Sequence, residues 1–367
     1  MTPTRSRSLP VAALTLTLLA LPATATYAVE RQPTHDAYVA HTPRGGSDTP
    51  FPVSGLEVGE VAAIPYAFAS EPEFGGGNWR LQRTDGTSLK LTNLTWSAWA
   101  PMGDGAIGMA GTEAGPELQR VTGPGEVHTR MVARFGLAVS PDHEIVGWLG
   151  DHGSPKVVEG GGTRRFSLAR IPHAGTIAAI WGADTCQEQD PEGGGCTVFA
   201  NGSHQVQVST SHGIVTTVGP MLRVSAVSPQ GRVTGLVSRR TPDRAPCWGV
   251  FRPSGHRVFR TCDYYLGAFT PDGRHVLAER SQVKWQSVRR FAILGRDGHA
   301  VHTWSFDPGR HRSLSQLTWE DSHHLLGVLL AHGHWGLVRI GTDGTVEYAG
   351  APVEAINEFA PYDLPLR

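Results

Sequence analysis

The chain has 367 residues, 40% hydrophobic and 18% charged, with 32 basic against 33 acidic side chains and a formal net charge of −1. With no basic excess and no Lys/Arg run, the composition argues against a nucleic-acid or anionic-membrane partner. Arginine outnumbers lysine 29 to 3 alongside 45 glycines, the bias that GC-rich codons produce.

Residues 1–28 combine Arg5 and Arg7, an apolar run from Val11 to Leu21 and small residues at Ala23–Ala25 or Thr26–Ala28. This reads as a cleaved export signal. An apolar core of eleven residues is about half the ~20 needed to cross a bilayer, so a membrane anchor is not expected. Arg5 and Arg7 are not adjacent and no cysteine lies near the cleavage site, so neither a twin-arginine route nor a lipid anchor is supported. The mature chain is expected to be secreted or held in the cell envelope, monomeric and without a transmembrane segment. Residues 29–50, rich in Pro, Thr, Gly and His, read as a flexible leader, and residues 51–367 as one repeat domain.

The repeat is carried by turns. The stretches "SAWAPMGDGAIGM" (97–109), "LAVSPDHEIVGWL" (137–149), "SAVSPQGRVTGLV" (225–237), "GAFTPDGRHVLAE" (267–279) and "SQLTWEDSHHLLG" (315–327) each place a turn between two apolar runs. Proline presets φ, aspartate hydrogen-bonds locally and glycine takes the positive φ that follows. A second series, Asp85-Gly86, Pro124-Gly125, Gly160-Gly161, Asn201-Gly202, Ser254-Gly255, Asp297-Gly298 and Asp343-Gly344, recurs with a mean spacing of 43 residues. Two hairpins per 43 residues make four antiparallel strands per unit, and no amphipathic helix stands out.

Units of this kind match the blades of a β-propeller. The expected fold is all-β: a seven-bladed β-propeller of four-stranded antiparallel blades. A single blade cannot bury both faces, whereas blades packed in a ring can. Ala98, Ala138, Ala226 and Gly267 are then expected near the crowded axis. The unit around "TIAAIWGADTC" lacks a clear Pro-Asp-Gly turn, so its inner strands stay unplaced. The first unit begins at its second strand, "VAAIPYAFA", and the tail "EFAPYDLP" (358–365) is the expected donor of the missing innermost one.

Four cysteines, Cys186, Cys196, Cys247 and Cys262, allow three pairings in an exported chain. If Arg252 faces Arg257 across the turn at Pro253–His256, the same register sets Cys247 opposite Cys262, close enough to bond. Cys186 and Cys196 close the loop "CQEQDPEGGGC" by the same local logic. A four-cysteine zinc site is disfavoured because no Cys-x-x-Cys pattern occurs.

The "VSPDH", "VSPQGR" and "FTPDGR" turns resemble those of TolB-like and WD-repeat-like bacterial propellers, and the chain after the signal is similar to secreted propellers of actinobacteria. The Trp-Asp dipeptide of WD repeats is absent, His143 stands where the turn glycine is expected, and no helical partner domain precedes the repeats. The resemblance implies a binding scaffold and carries over no catalytic residue.

No nucleophile elbow, zinc-protease helix or phosphate-binding glycine loop is present. The histidines of "HHLLGVLLAHGHW" fall at opposite ends of one expected strand, on the order of 20 Å apart, so neither a metal nor a cofactor is expected. The tight turns belong to one face of the ring, and the longer "SEPEFGGGNW", "GDHGSPK", "RRTPDRAPCW", "ERSQVKW", "FDPGRHRSL" and "AHGHW" to the other. That long-loop face offers Phe74, Trp79, Asp151, His152, Arg239, Arg240, Arg244, Trp285, Asp307, Arg310, His332 and Trp335 as candidate anchors for a protein or polysaccharide. The alternative is a glycoside hydrolase or polysaccharide lyase with acids converging at the channel mouth.

Overall fold

The structure is a computed structural model that describes residues 48–366, apart from 74–75, 92–95, 114, 123–125, 134–135, 160–163, 183–185, 187–194, 203–205, 211–214, 218–220, 240–244, 281–286, 310 and 358. The export signal and most of the leader lie outside the described residues. No helix among the described residues is long and apolar enough to cross a membrane.

The described strands pair into seven sheets. Sheet one holds Tyr66–Glu73, Gly76–Gln82 and Ser88–Leu91, with Tyr362–Asp363 from the tail at its inner edge. Sheet two holds Trp96–Met102, Gly105–Thr112, Gly115–Thr122 and Glu126–Val132; sheet three, Leu137–Val139, Ile145–Leu149, Pro155–Glu159 and Arg164–Ser167. Sheet four is built from Ala174–Trp181, Thr197–Gly202, Val206–Thr210 and Val215–Thr217, and sheet five from Arg223–Val227, Val233–Ser238, Cys247–Phe251 and Arg257–Thr261. Tyr265–Phe269, His275–Glu279, Arg290–Gly295 and Ala300–Ser305 make sheet six; Ser313–Trp319, His324–Ala331, His334–Gly341 and Val346–Tyr348 make sheet seven.

Burial explains why alternation is clear in some strands and lost in others. The second strand Ile145–Leu149 is buried at every position, as a strand covered on both faces must be, whereas the outer strand Arg164–Ser167 is largely exposed. The core is divided into clusters, each shared by neighbouring sheets. Leu81 and Leu89 meet Trp99 and Val121 between sheets one and two. Met109 and Leu118 meet Val146 and Trp148 between two and three, and Val157 meets Ile177 and Val198 between three and four. Phe199 packs with Val224 and Phe251 between four and five, Trp248 with Leu266 and Val276 between five and six, and Phe291 and Trp304 with Leu314 and Leu325 between six and seven. Leu326 and Leu337 finally meet Ile64, Tyr362 and Leu364 of sheet one. The packing thus returns to its start: the fold is an all-β propeller.

The tail completes sheet one, as expected. Tyr362 lies opposite Phe68 and Asp363 opposite Ala67, and the Ala69 N–H donates to the Pro361 carbonyl at 2.8 Å. Gln316, on a bulge of sheet seven with φ 56°, holds the tail from the other side. Its amide oxygen accepts from the Leu364 N–H at 2.9 Å and its amide nitrogen donates to the Tyr362 carbonyl at 3.5 Å. The Leu366 N–H then donates to Trp99 of sheet two at 2.8 Å.

Four expectations need correction. The leader is paired from Asp48 onward: Thr49-Pro50 runs parallel to Trp304-Ser305 on sheet six, and Arg290 binds the Asp48 carboxylate at 2.8 Å. Asn201-Gly202 is not a turn but the end of a strand, because the inner connection of sheet four, between Trp181 and Thr197, absorbs the extra residues that displaced the count. The "SEPEFGGGNW" segment is mostly strand, since Glu73 and Gly76 pair and only 74–75 separate them. Finally, Phe251 rather than Arg252 faces Arg257, with a bulge next to it. Beyond that bulge Trp248 faces Thr261, so the register at the cysteines is the expected one.

Both disulfides have the expected pairing, Cys186–Cys196 and Cys247–Cys262. Each closes a short loop, which on the loop-entropy model contributes about 3 kcal/mol.

Candidate functional site

The Ser/Thr-Pro turns are held by a buried hydroxyl as well as by proline and glycine. Ser140, Ser228 and Thr270 are fully buried. Their hydroxyl oxygens accept the N–H groups of Ile145 at 2.9 Å, Arg232 at 3.1 Å and Arg274 at 3.0 Å. Gly231 and Gly273 take φ of 72° and 65° in these turns, and His143 takes 64° at the position where glycine was expected.

These turns ring one mouth of a central cavity of about 110 Å³. Pro141, Pro229 and Pro271 stand at the rim, and Ala138, Ala179 and Ala226 form the wall with Phe269, Trp319 and the tail residue Leu366. The expectation of small residues at the axis therefore holds for Ala138 and Ala226. The side chains that bring polar atoms to the described lining are His143, Ser225, Thr270 and the Trp319 indole; no carboxylate is among them. Ser225 is internally engaged, donating to the Leu266 carbonyl at 2.6 Å, and the Trp319 N–H is spent on the Ala268 carbonyl at 3.0 Å.

The opposite, long-loop face carries the candidate anchors. His152, Arg239, Asp307 and His332 are exposed there, on connections of sheets three, five, six and seven. Trp335 is not a surface anchor: at 5% exposure it sits in the core between sheets seven and one, because the strand begins at His334 and turns the indole inward. Trp79 is half-buried against the core of sheets one and two. Asp151 lies in a single 3-10 turn, Asp151–Gly153. Phe74, Arg240, Arg244, Trp285 and Arg310 fall outside the described residues.

At the same end of sheet six, Glu279 faces Tyr265 across the first two strands, and the Tyr265 ring meets Trp248 edge-on at 4.5 Å. Burial pushes the Glu279 carboxyl up to about 7 and, with the nearby Glu279 charge adding to it, the Tyr265 hydroxyl up to about 12. The folded chain therefore holds the Glu279 proton more tightly than the unfolded chain, and stability falls as pH rises from about 4.5 through 7. Glu279→Gln is expected to stabilise the protein at pH 8 by up to about 3 kcal/mol and to leave it unchanged at pH 4. Thermal melts at the two pH values check this.

Glu320, Asp321 and His324 bring one ligand atom each within 4.8 Å of one another. Those atoms are already committed. Glu320 binds Arg339 at 2.6 and 3.0 Å, while Asp321 accepts from the His323 and His324 N–H groups at 2.6 and 2.8 Å and contacts His324 Nδ1 at 2.9 Å. The group is a turn brace fused to a buried ion pair, which nothing in the spacing of these residues announced.

No family model matches the chain, and no curated protein matches it. Among solved structures, Kluyvelomyces marxianus Hsv2 is 8% identical over 76% of this chain and 92% of its own, with a TM-score of 0.45. A KlHsv2 with loop 6CD replaced by a Gly-Ser linker is 9% identical at the same coverage and TM-score. A TolB-like or WD-repeat-like relationship therefore rests on the turns alone.

Proposed function

We propose that the chain is a secreted, non-enzymatic, seven-bladed propeller that binds a protein or polysaccharide partner through its long-loop face. The observation that carries this reading is the exposure of His152, Arg239, Asp307 and His332 on connections anchored by a ring whose core returns on itself. Rigid scaffolds that project charged and aromatic side chains on loops are the usual setting for recognition. A glycosidase needs two carboxylates about 5 to 10 Å apart, and the described cavity lining offers none. Two disulfides suit an oxidising, extracellular setting.

The test is a glycan array combined with pull-down from culture supernatant. The parent is compared with a variant carrying His152→Ala, Arg239→Ala, Asp307→Ala and His332→Ala. A loss of binding of tenfold or more is expected; a variant that binds like the parent removes the long-loop face from consideration.

A further inference from the structure

On the opposite face, four turns of sheets five and six pack into one patch. Gln230 donates to the Asp272 carbonyl at 3.0 Å, joining the two inner turns. A Cβ at Gly231 would stand 3.0 Å from Pro253, and one at Gly298 would stand 2.6 Å from Phe259, so both outer turns crowd in as well. Each turn brings an arginine: Arg232 and Arg274 follow the glycines of the inner turns, while Arg252 and Arg296 open the outer ones.

The acids present do not balance them. Asp272 is engaged by Arg274 at 3.3 Å. Asp297 is exposed and accepts the His299 N–H at 3.0 Å within its own turn. Among the described residues, no ion pair engages Arg232, Arg252 or Arg296. Arg232 is half-buried, and it is held below the usual arginine range first by burial and then by the like charges of Arg296 and Arg252. In a chain of net charge −1, a half-buried arginine that feels the like charges of two others is not the by-product of a basic surface.

We propose that this junction is a site for a doubly charged tetrahedral oxyanion, a sulfate or phosphate group, held by Arg232, Arg252 and Arg296. Guanidinium forks match the paired oxygens of such groups, and a dianion offsets the like charges that bear on Arg232. The site lies on the turn face and is independent of the long-loop reading. Arg252 and Arg296 are exposed and can close on the ion, while the half-buried Arg232 supplies a fixed floor.

The test uses the full mature chain at low ionic strength. Inorganic phosphate and sulfate are titrated by calorimetry and thermal shift against chloride of equal ionic strength, with dextran sulfate as the polymer-borne form of the same group. Both free ions are expected to raise Tm where chloride does not, and Arg252→Gln with Arg296→Gln to weaken phosphate binding at least tenfold. Tighter binding of dextran sulfate would assign the site to a polymer-borne group, and equal binding to the free ion; either satisfies the proposal. Without anion, Arg296→Gln is expected to melt at or above the parent because repulsion on Arg232 is relieved. A chloride response equal to that of phosphate, undiminished binding by the double variant, or a lower anion-free Tm for Arg296→Gln would each overturn it.

Discussion

Removing the residues after Asn357 is expected to lower the melting temperature by about 10 °C or more. The tail contributes the innermost strand of sheet one, and Tyr362 and Leu364 are only 6% and 2% exposed. Burying two such side chains is worth about 1.5–3 kcal/mol each, and their loss also leaves Gln316 without either of its tail partners. For a domain this large, 1 kcal/mol shifts Tm by roughly 2–4 °C, and the loss of an inner strand opens the ring between sheets seven and two. A subtler variant separates strand pairing from burial. Gln316→Ala keeps the tail but removes the amide that bonds the Tyr362 carbonyl and the Leu364 N–H on either side of Asp363, and should cost about 1–2 kcal/mol. Calorimetric melts of the parent, the truncated chain and Gln316→Ala should fall in the order parent, Gln316→Ala, truncation. A truncated chain that melts with the parent would mean that the ring does not depend on this strand.

The tail was legible in advance because a four-strand period leaves a first unit one strand short, and only a segment with no other partner can fill the gap. The inner hairpins were legible for a related reason. Turns are written in residues that satisfy a local φ or a local hydrogen bond, so Pro229–Gly231 and Pro271–Gly273 announce themselves without any knowledge of neighbours. Where the signal failed, the cause lay in contacts across sheets. Asn201-Gly202 looks like a turn, yet Asn201 spends its amide on the next sheet, donating to the Val224 carbonyl at 2.9 Å and accepting its N–H at 2.8 Å. Trp335 looks like an anchor beside loop histidines, but pairing with Leu330 turns it inward. The arginine cluster was invisible because Arg232, Arg252 and Arg296 come from three separate turns, and sequence spacing carries no record of which turns touch.

The ion pair between Glu320 and Arg339 is expected to give the largest single-residue effect in the described structure. The Glu320 side chain is 1% exposed and that of Arg339 12% exposed, at 2.6 Å. Arg339 also binds Glu347 at 2.7 Å and donates to the carbonyls of Glu60 and Val61, while Glu320 accepts the Ala63 N–H at 2.5 Å. These contacts fasten the segment leading into sheet one onto sheet seven, so the pair works at the same seam as the tail. The Glu320 carboxylate, with help from Glu347, holds the Arg339 guanidinium well above its usual range; removing Glu320 takes most of that support away, but an arginine's ordinary pKa is high enough to keep it charged. Glu320→Ala should therefore cost about 3–5 kcal/mol, most of it the penalty of leaving a largely buried cation with only the more exposed Glu347 as counter-charge. If that penalty is the cause, Glu320→Leu combined with Arg339→Met should recover much of the loss, because no charge then remains buried. Chemical denaturation of the single and double variants measures the difference. Recovery identifies desolvation as the governing term; a double variant as unstable as Glu320→Ala would instead show that the hydrogen bonds to residues 60–63, and not the charge, hold the seam.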